Sequence, residues 1–141
     1  MKNKIITILL LSSILIITSC EAPKTEKNKN IVSPNQDSEL ALLMREIYDE
    51  AMINKKHIQN NEPIEINLDH EKIFSAIATE PEKAASPEFK AFATSYLQSI
   101  KNLKFSNTNQ TATNYKNMVN NCLTCHQSLC PGPIVRIKKL Q

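Results

Sequence analysis

The sequence predicts an all-α protein whose folded part is an up-and-down four-helix bundle. Gly132 is the only glycine in 141 residues, whereas sheet proteins need glycines at tight turns and bulges. Apolar residues recur at spacings of three and four in separate segments, and short polar or proline-containing stretches divide these segments. Aromatic residues make up 5% of the chain, so Leu, Ile, Met and Ala must build the core unless another group fills its centre.

The first 36 residues are expected to lie outside this bundle. Residues 1–19 contain two lysines and then an apolar run that is too short to span a membrane, which is typical of an export signal. Residues 17–20, Ile-Thr-Ser-Cys, resemble the lipobox of bacterial lipoproteins, and this resemblance implies a lipid on Cys20; the alternative is an ordinary secretory signal with Cys20 free. Residues 20–36 are polar and contain two prolines, which predicts a flexible tether. The chain is thus expected to be an exported, periplasm-facing lipoprotein, held to the inner or the outer membrane by its lipid anchor.

The folded domain is predicted to span residues 37–141 and to begin with a long helix. Asp37 or Ser38 can cap this helix, and apolar residues at helical spacing follow for four turns. They are Leu40, Leu43, Met44, Ile47, Tyr48, Ala51 and Met52. A second, shorter helix is expected over residues 68–79, with Pro81 as its end.

The third helix is predicted to begin at Ser86-Pro87, a capping residue followed by proline at the first helical position. Its apolar face comprises Phe89, Phe92, Ala93, Tyr96, Leu97, Ile100 and Leu103. A turn is expected at residues 107–110, and the fourth helix follows and stops at Pro131-Gly132-Pro133. The last eight residues, IVRIKKLQ, are expected to trail away as a short apolar and basic tail.

The fourth predicted helix carries the sequence Cys-Leu-Thr-Cys-His at residues 122–126. In a helix, Cys122, Cys125 and His126 lie on one face because they are three and four residues apart. Two thiols at this spacing can form thioether bonds to the vinyl groups of haem c, and the adjacent histidine can bind the iron from the same side. We therefore predict one covalent haem c, attached through Cys122 and Cys125, with His126 as the proximal iron ligand.

The cysteines also allow other interpretations. A Cys-X-X-Cys redox pair normally opens a helix that follows a strand, and no strand is predicted here. A zinc or iron–sulfur site could use Cys122, Cys125 and Cys130, with His126, His57 or His70 added, and zinc there would make the chain a zinc-stapled structural lipoprotein. Cys130 itself is expected to be either a buried thiol or a disulfide partner. The chain has 17 basic and 14 acidic residues and no basic block, so nothing in it favours a nucleic-acid partner and none is expected.

An exported four-helix protein of this size, with Cys-X-X-Cys-His on its last helix, resembles the class II cytochromes c, the group of cytochromes c′ and c556. The resemblance covers residues 38–131 and depends on layout outside the haem motif. It implies a haem inside the bundle, a distal residue on the first helix and, in many relatives, a homodimer. Cytochromes c′ usually carry arginine or lysine four residues after the haem histidine, where this chain has Cys130. Because of this difference, the resemblance gives only weak grounds to expect the gas binding of cytochromes c′ in this chain.

The distal iron ligand should come from another helix than His126. Met118 lies on the same helix, about 12 Å along its axis, so it is expected at the haem edge. Met44 is the predicted distal ligand, because it lies in the middle of the apolar stripe of the first helix, the distal helix that the resemblance implies. A thioether ligand there would raise the reduction potential relative to two nitrogen ligands. Met52, His57, His70 and an open sixth position are the alternatives, and both histidines are expected at solvent.

The predicted function is non-enzymatic transfer of single electrons between redox partner proteins. An open position would instead favour a sensor or binder of NO or CO.

Overall fold

The computed structural model describes residues 37–141, which form helices and no β-strands, so the all-α prediction is confirmed for this part of the chain. The helices are α1 (Glu39–Asn60), α2 (Pro81–Ala84), α3 (Pro87–Lys104), α4 (Thr108–Leu129) and α5 (Ile134–Ile137), with 3₁₀ helices at His70–Phe74 and Lys138–Leu140. The predicted export signal, the lipidated Cys20 and the tether fall in residues 1–36, outside the described residues. No helix of the described part is long and apolar enough to cross a bilayer.

The predicted caps of α1 and α3 are confirmed. Ser38 Oγ accepts a hydrogen bond of 3.2 Å from the backbone N–H of Ala41, and Ser86 Oγ accepts one of 3.1 Å from Phe89. Both side chains satisfy an N–H that has no partner inside its helix. Helix α4 begins at Thr108, inside the predicted turn, because the side chain of Asn107 provides the cap.

The predicted second helix over residues 68–79 is wrong. The chain forms only the five-residue 3₁₀ helix His70–Phe74 there, and Pro81 begins α2 instead of ending a helix. Helix α1 binds backbone groups of this segment instead: Glu50 accepts from the N–H of Leu68 at 3.0 Å, Glu39 accepts from the N–H of Ile77 at 3.1 Å, and the N–H of Leu40 donates to the carbonyl of Ile77 at 3.0 Å. Just before this segment, Asn54, which is 1% exposed, binds both the N–H and the carbonyl of Glu65, at 2.8 and 2.7 Å. The described residues therefore contain three long helices and an irregular connection between the first and second of them.

A buried polar network anchors this connection. One carboxylate oxygen of Glu50 accepts the N–H groups of Asn67 and Leu68 at 2.7 and 3.0 Å, and the other lies 2.9 Å from Nε2 of His70. The Nδ1 atom of His70 lies 2.7 Å from the hydroxyl of Tyr96. Burial raises the pKa of Tyr96, so its hydroxyl stays protonated and donates to Nδ1 while Nε2–H donates to Glu50. The network ties α1, the 3₁₀ helix and α3 together.

Helices α3 and α4 pack as an antiparallel pair. Ser95 of α3 donates to Asn121 of α4 at 2.7 Å, and Ser128 near the end of α4 donates to Glu88 at the start of α3. The hydroxyl of Tyr115 crosses the core to the carbonyl of Ala51 on α1, 3.0 Å away. The buried apolar core is formed by Leu43, Ile47, Ala51, Ile73, Ala93, Tyr96, Ile100, Leu103, Tyr115, Met118, Val119, Leu123, Ile137 and Leu140.

The C-terminal tail, residues 134–141, does not trail away as predicted. Ile137 and Leu140 are 6% and 3% exposed and belong to the core. Nζ of Lys55 donates to the carbonyl of Lys139 at 2.9 Å, and the Arg136 guanidinium lies 5.6 Å from the centre of the Tyr48 ring. The tail therefore returns to α1, because two apolar residues at helical spacing are enough to bury it there.

Candidate cofactor-binding site

A cavity of about 730 Å³ lies between α1, the end of α4 and the C-terminal tail. One wall carries Cys122, Cys125 and His126, and Met44 lies on another wall, formed by α1. Apolar side chains cover much of the remaining surface, among them Leu40, Ile47, Phe89, Leu129, Val135, Ile137 and Leu140. Its size is within the range of about 300–1,000 Å³ that small-molecule and cofactor pockets show.

The end of α4 determines how the imidazole of His126 is presented. Pro131 cannot continue the helix, so the chain turns at Cys130, and the carbonyl of Cys130 comes within 3.0 Å of His126 Nδ1. An Nδ1–H group that donates to a backbone carbonyl leaves the lone pair on Nε2 for a metal. The histidine next to the second cysteine is thus held in the tautomer that iron coordination requires.

The structure separates Met44 from the other candidates for the distal ligand. Met44 is half-buried and lines the cavity that contains the cysteines and His126. Met52, His57 and His70 do not line it. The expectation that His70 lies at solvent is wrong, since it is 6% exposed and bound by Glu50 and Tyr96. His57 is half-buried rather than solvated and lies 3.9 Å from a carboxylate oxygen of Glu62.

The three cysteines of the described residues are free and differ in burial. Cys122 and Cys125 are half-buried, and burial raises the pKa of both thiols, that of Cys122 to about 12. Its Sγ lies 3.9 Å from the sulfur of the buried Met118, which packs behind the cysteine rather than lining the cavity. Cys130 is exposed, so the expectation of a buried thiol there is wrong.

The thiols of the haem-free chain are therefore expected to react at different rates. At pH 8, a pKa of about 12 leaves Cys122 with roughly a thousandfold less thiolate than an ordinary cysteine, and the thiolate is the form that attacks iodoacetamide. We expect Cys130 to be alkylated first and Cys122 last, and mild urea should remove the difference. Peptide mass mapping of a labelling time course measures this order. Equal rates at Cys122 and Cys130 in the folded chain would contradict the observed packing.

Charged side chains surround the mouth of the cavity. Arg45 forms a bidentate ion pair with Asp37, at 2.6 and 2.7 Å, and Lys83 pairs with Glu80 at 2.8 Å. Arg136 and Lys139 of the tail also line the cavity. Sequence reasoning missed the tail as a wall of the site, although Ile134, Ile137 and Leu140 at spacings of three were a signal for it.

Within residues 37–141, no three His, Cys, Asp or Glu side chains lie close enough together to bind a metal ion. The described residues therefore give no support to the zinc alternative, in which Cys122, Cys125 and Cys130 would bind one ion. No protein-family model, curated protein or solved structure matches this chain.

The residues that line the cavity fit a covalently bound haem. Two thiols and an imidazole of one helix line the cavity, and a thioether lines another wall. Apolar side chains between them can enclose the macrocycle. The hydrogen bond from His126 Nδ1 to Cys130 supplies the orientation that ligating histidines usually have. This donor set suits iron coordination by histidine, with or without methionine.

Proposed function

We propose that this chain is an exported, membrane-anchored, monohaem c-type cytochrome that carries single electrons between redox partner proteins. The observation that carries the proposal is the cavity that the Cys-X-X-Cys-His face of α4 shares with Met44 of α1. Haem, when bound, supplies an iron centre that accepts and releases one electron. The chain would turn over no substrate of its own.

In this proposal, Cys122 and Cys125 would hold the macrocycle by thioether bonds, and His126 would bind the iron through Nε2. The hydrogen bond to the carbonyl of Cys130 fixes the ring and makes the imidazole a stronger donor. Apolar residues of α1, α4 and the tail would cover much of the macrocycle, which would reduce the screening of charge at the iron and let the surroundings adjust the reduction potential.

The proposal includes the way in which the helices would surround the haem. The long helices α1, α3 and α4, with the segment between residues 61 and 86 in place of a long second helix, would enclose the haem in the manner of the class II cytochromes c. Export, the lipid on Cys20, a periplasm-facing position and a homodimer remain parts of this proposal.

A combined mass and optical measurement tests the function. The chain is exported in a host with haem-ligation machinery, and intact mass and the alkaline pyridine spectrum are recorded. We expect the mass of one haem, retained after denaturation, and a c-type spectrum. A low-spin ferrous form supports electron transfer, whereas a high-spin ferrous form that binds CO would favour the gas binder. Colourless protein with free thiols at residues 122 and 125 would overturn the proposal.

The Met44→Ala variant is expected to convert the reduced protein from low spin to high spin and to lower its reduction potential. Loss of the thioether removes the ligand that favours ferrous iron, so the potential should fall on the order of 0.1 V, within the range of roughly 0.8 V that axial ligands span. Optical spectra and a redox titration measure both effects. Met52→Ala is the matched control, since Met52 lies on the same helix away from the cavity. Equal spectra for Met44→Ala and the parent would exclude Met44 as the ligand.

A further inference from the structure

The charged residues of the domain are distributed unevenly along the chain. Residues 37–88 contain twelve acidic and five basic residues, whereas residues 89–141 contain seven basic residues and no acidic one. The small net charge of the whole chain hides this asymmetry. Such a separation of charge produces a potential over the surface, which can attract an oppositely charged partner.

The basic half of the chain reaches the mouth of the cavity through the C-terminal tail. Arg136 and Lys139 line the cavity, Lys138 lies between them in the sequence, and all three are exposed. The apolar Val135 beside them is 75% exposed. Within residues 37–141, none of these three cations forms an ion pair with an acidic side chain. The other cations of the mouth, Arg45 and Lys83, are paired with Asp37 and Glu80.

The apolar residues of the tail leave little surface for insertion into a membrane. Ile137 and Leu140 are buried in the core and Ile134 is half-buried, so only Val135 presents a large apolar surface to solvent. A helix that lies in a membrane interface needs its apolar face free for the lipid. Exposed cations around one apolar contact suit a polar protein surface better.

We propose that the C-terminal tail is a docking surface for a redox partner protein that presents an acidic patch. The inference rests on the proposed function, because docking there would bring the partner to the edge of the haem cavity. Unpaired cations at that edge attract the acidic partner and raise the rate of encounter, and Val135 supplies a short-range apolar contact. The paired cations Arg45 and Lys83 contribute less to this attraction, since nearby carboxylates neutralise them.

Two small redox ions of opposite charge test the proposal without knowledge of the partner. The ferrous protein gives one electron either to ferricyanide, which becomes ferrocyanide, or to tris(phenanthroline)cobalt(III), which becomes the cobalt(II) complex. The triple variant Arg136→Gln, Lys138→Gln, Lys139→Gln is compared with Lys101→Gln, Lys104→Gln, Lys116→Gln. Both lose three exposed charges, but the second set lies away from the cavity. At low ionic strength we expect the tail variant to react about tenfold more slowly with ferricyanide and faster with the cobalt complex.

The control variant is expected to stay within about twofold of the parent with both ions. Poly-L-glutamate, a model for an acidic protein surface, should slow oxidation by ferricyanide in the parent and in the control, because it covers the tail cations and repels the anion, and should have little effect on the tail variant. Equal rate changes in the two triple variants would overturn the proposal.

Other outcomes would assign the tail a different role. A shifted reduction potential with unchanged preference for the two ions would mean that the tail cations neutralise haem propionates. Binding of the parent to phosphatidylglycerol vesicles, lost only in the tail variant, would identify a membrane surface and overturn the docking of a protein. If haem-containing protein fails these tests, the docking proposal is overturned but the proposed electron-transfer function is not. If the exported protein is colourless, both proposals are overturned.

Discussion

The double variant Cys122→Ser, Cys125→Ser is expected to lose covalent haem completely. The two sulfurs are three residues apart on one face of α4 and line the same cavity, so each can reach one vinyl group of a single haem. Serine preserves size and helix formation but forms no thioether. Intact mass after denaturation and the pyridine spectrum of the exported protein measure the loss.

Cys130→Ser is the matched control and should retain a full complement of haem. Cys130 is also a free cysteine next to the motif, but it is exposed and lies beyond the end of α4. Its carbonyl, which binds His126 Nδ1, belongs to the backbone and survives the substitution. Each single variant, Cys122→Ser or Cys125→Ser, should retain haem through one bond, with an altered pyridine band. Retention of covalent haem by the double variant would contradict the attachment proposed here.

The variant Glu50→Ala is expected to destabilise the domain by about 3 kcal/mol or more. The carboxylate, with a side chain only 13% exposed, accepts two backbone N–H groups and bonds to the buried His70. Its loss leaves three donors without their partner; the N–H of Asn67 is exposed to water, whereas those of Leu68 and His70 are poorly solvated and cost about 1–3 kcal/mol each. Urea denaturation should show a lower midpoint with a similar slope, and Tm should fall on the order of 15 °C.

Glu46→Ala controls for the loss of a negative charge from α1. Glu46 is exposed on the same helix and its side chain forms no ion pair within residues 37–141, so its removal should change stability by less than about 0.5 kcal/mol. A double-mutant cycle between Glu50→Ala and Tyr96→Phe tests whether the network acts as a unit, since both residues bind His70. Additive losses would mean that the two hydrogen bonds act independently.

Local sequence signals predicted the features that depend on near neighbours. Ser38, Ser86 and Pro87 mark helix starts because a cap needs one side chain and the next three N–H groups. Cys122 and Cys125 share a face for the same local reason, the pitch of the helix. The predicted helix over residues 68–79 failed because residues of α1, distant in sequence, bind backbone groups of Leu68 and Ile77.

The amino-acid sequence alone determined the all-α class, the long helices and the arrangement of two thiols and an imidazole on one helical face. The tertiary structure decided which residues share the cavity with that face: Met44 does, whereas Met52, His57 and His70 do not. It also decided that His70 is bound inside the protein and that the C-terminal tail closes the site. The physical reason is distance along the chain, because helical periodicity acts over a few residues, while contacts such as Glu50 with His70 or Tyr48 with Arg136 form only when separate segments pack.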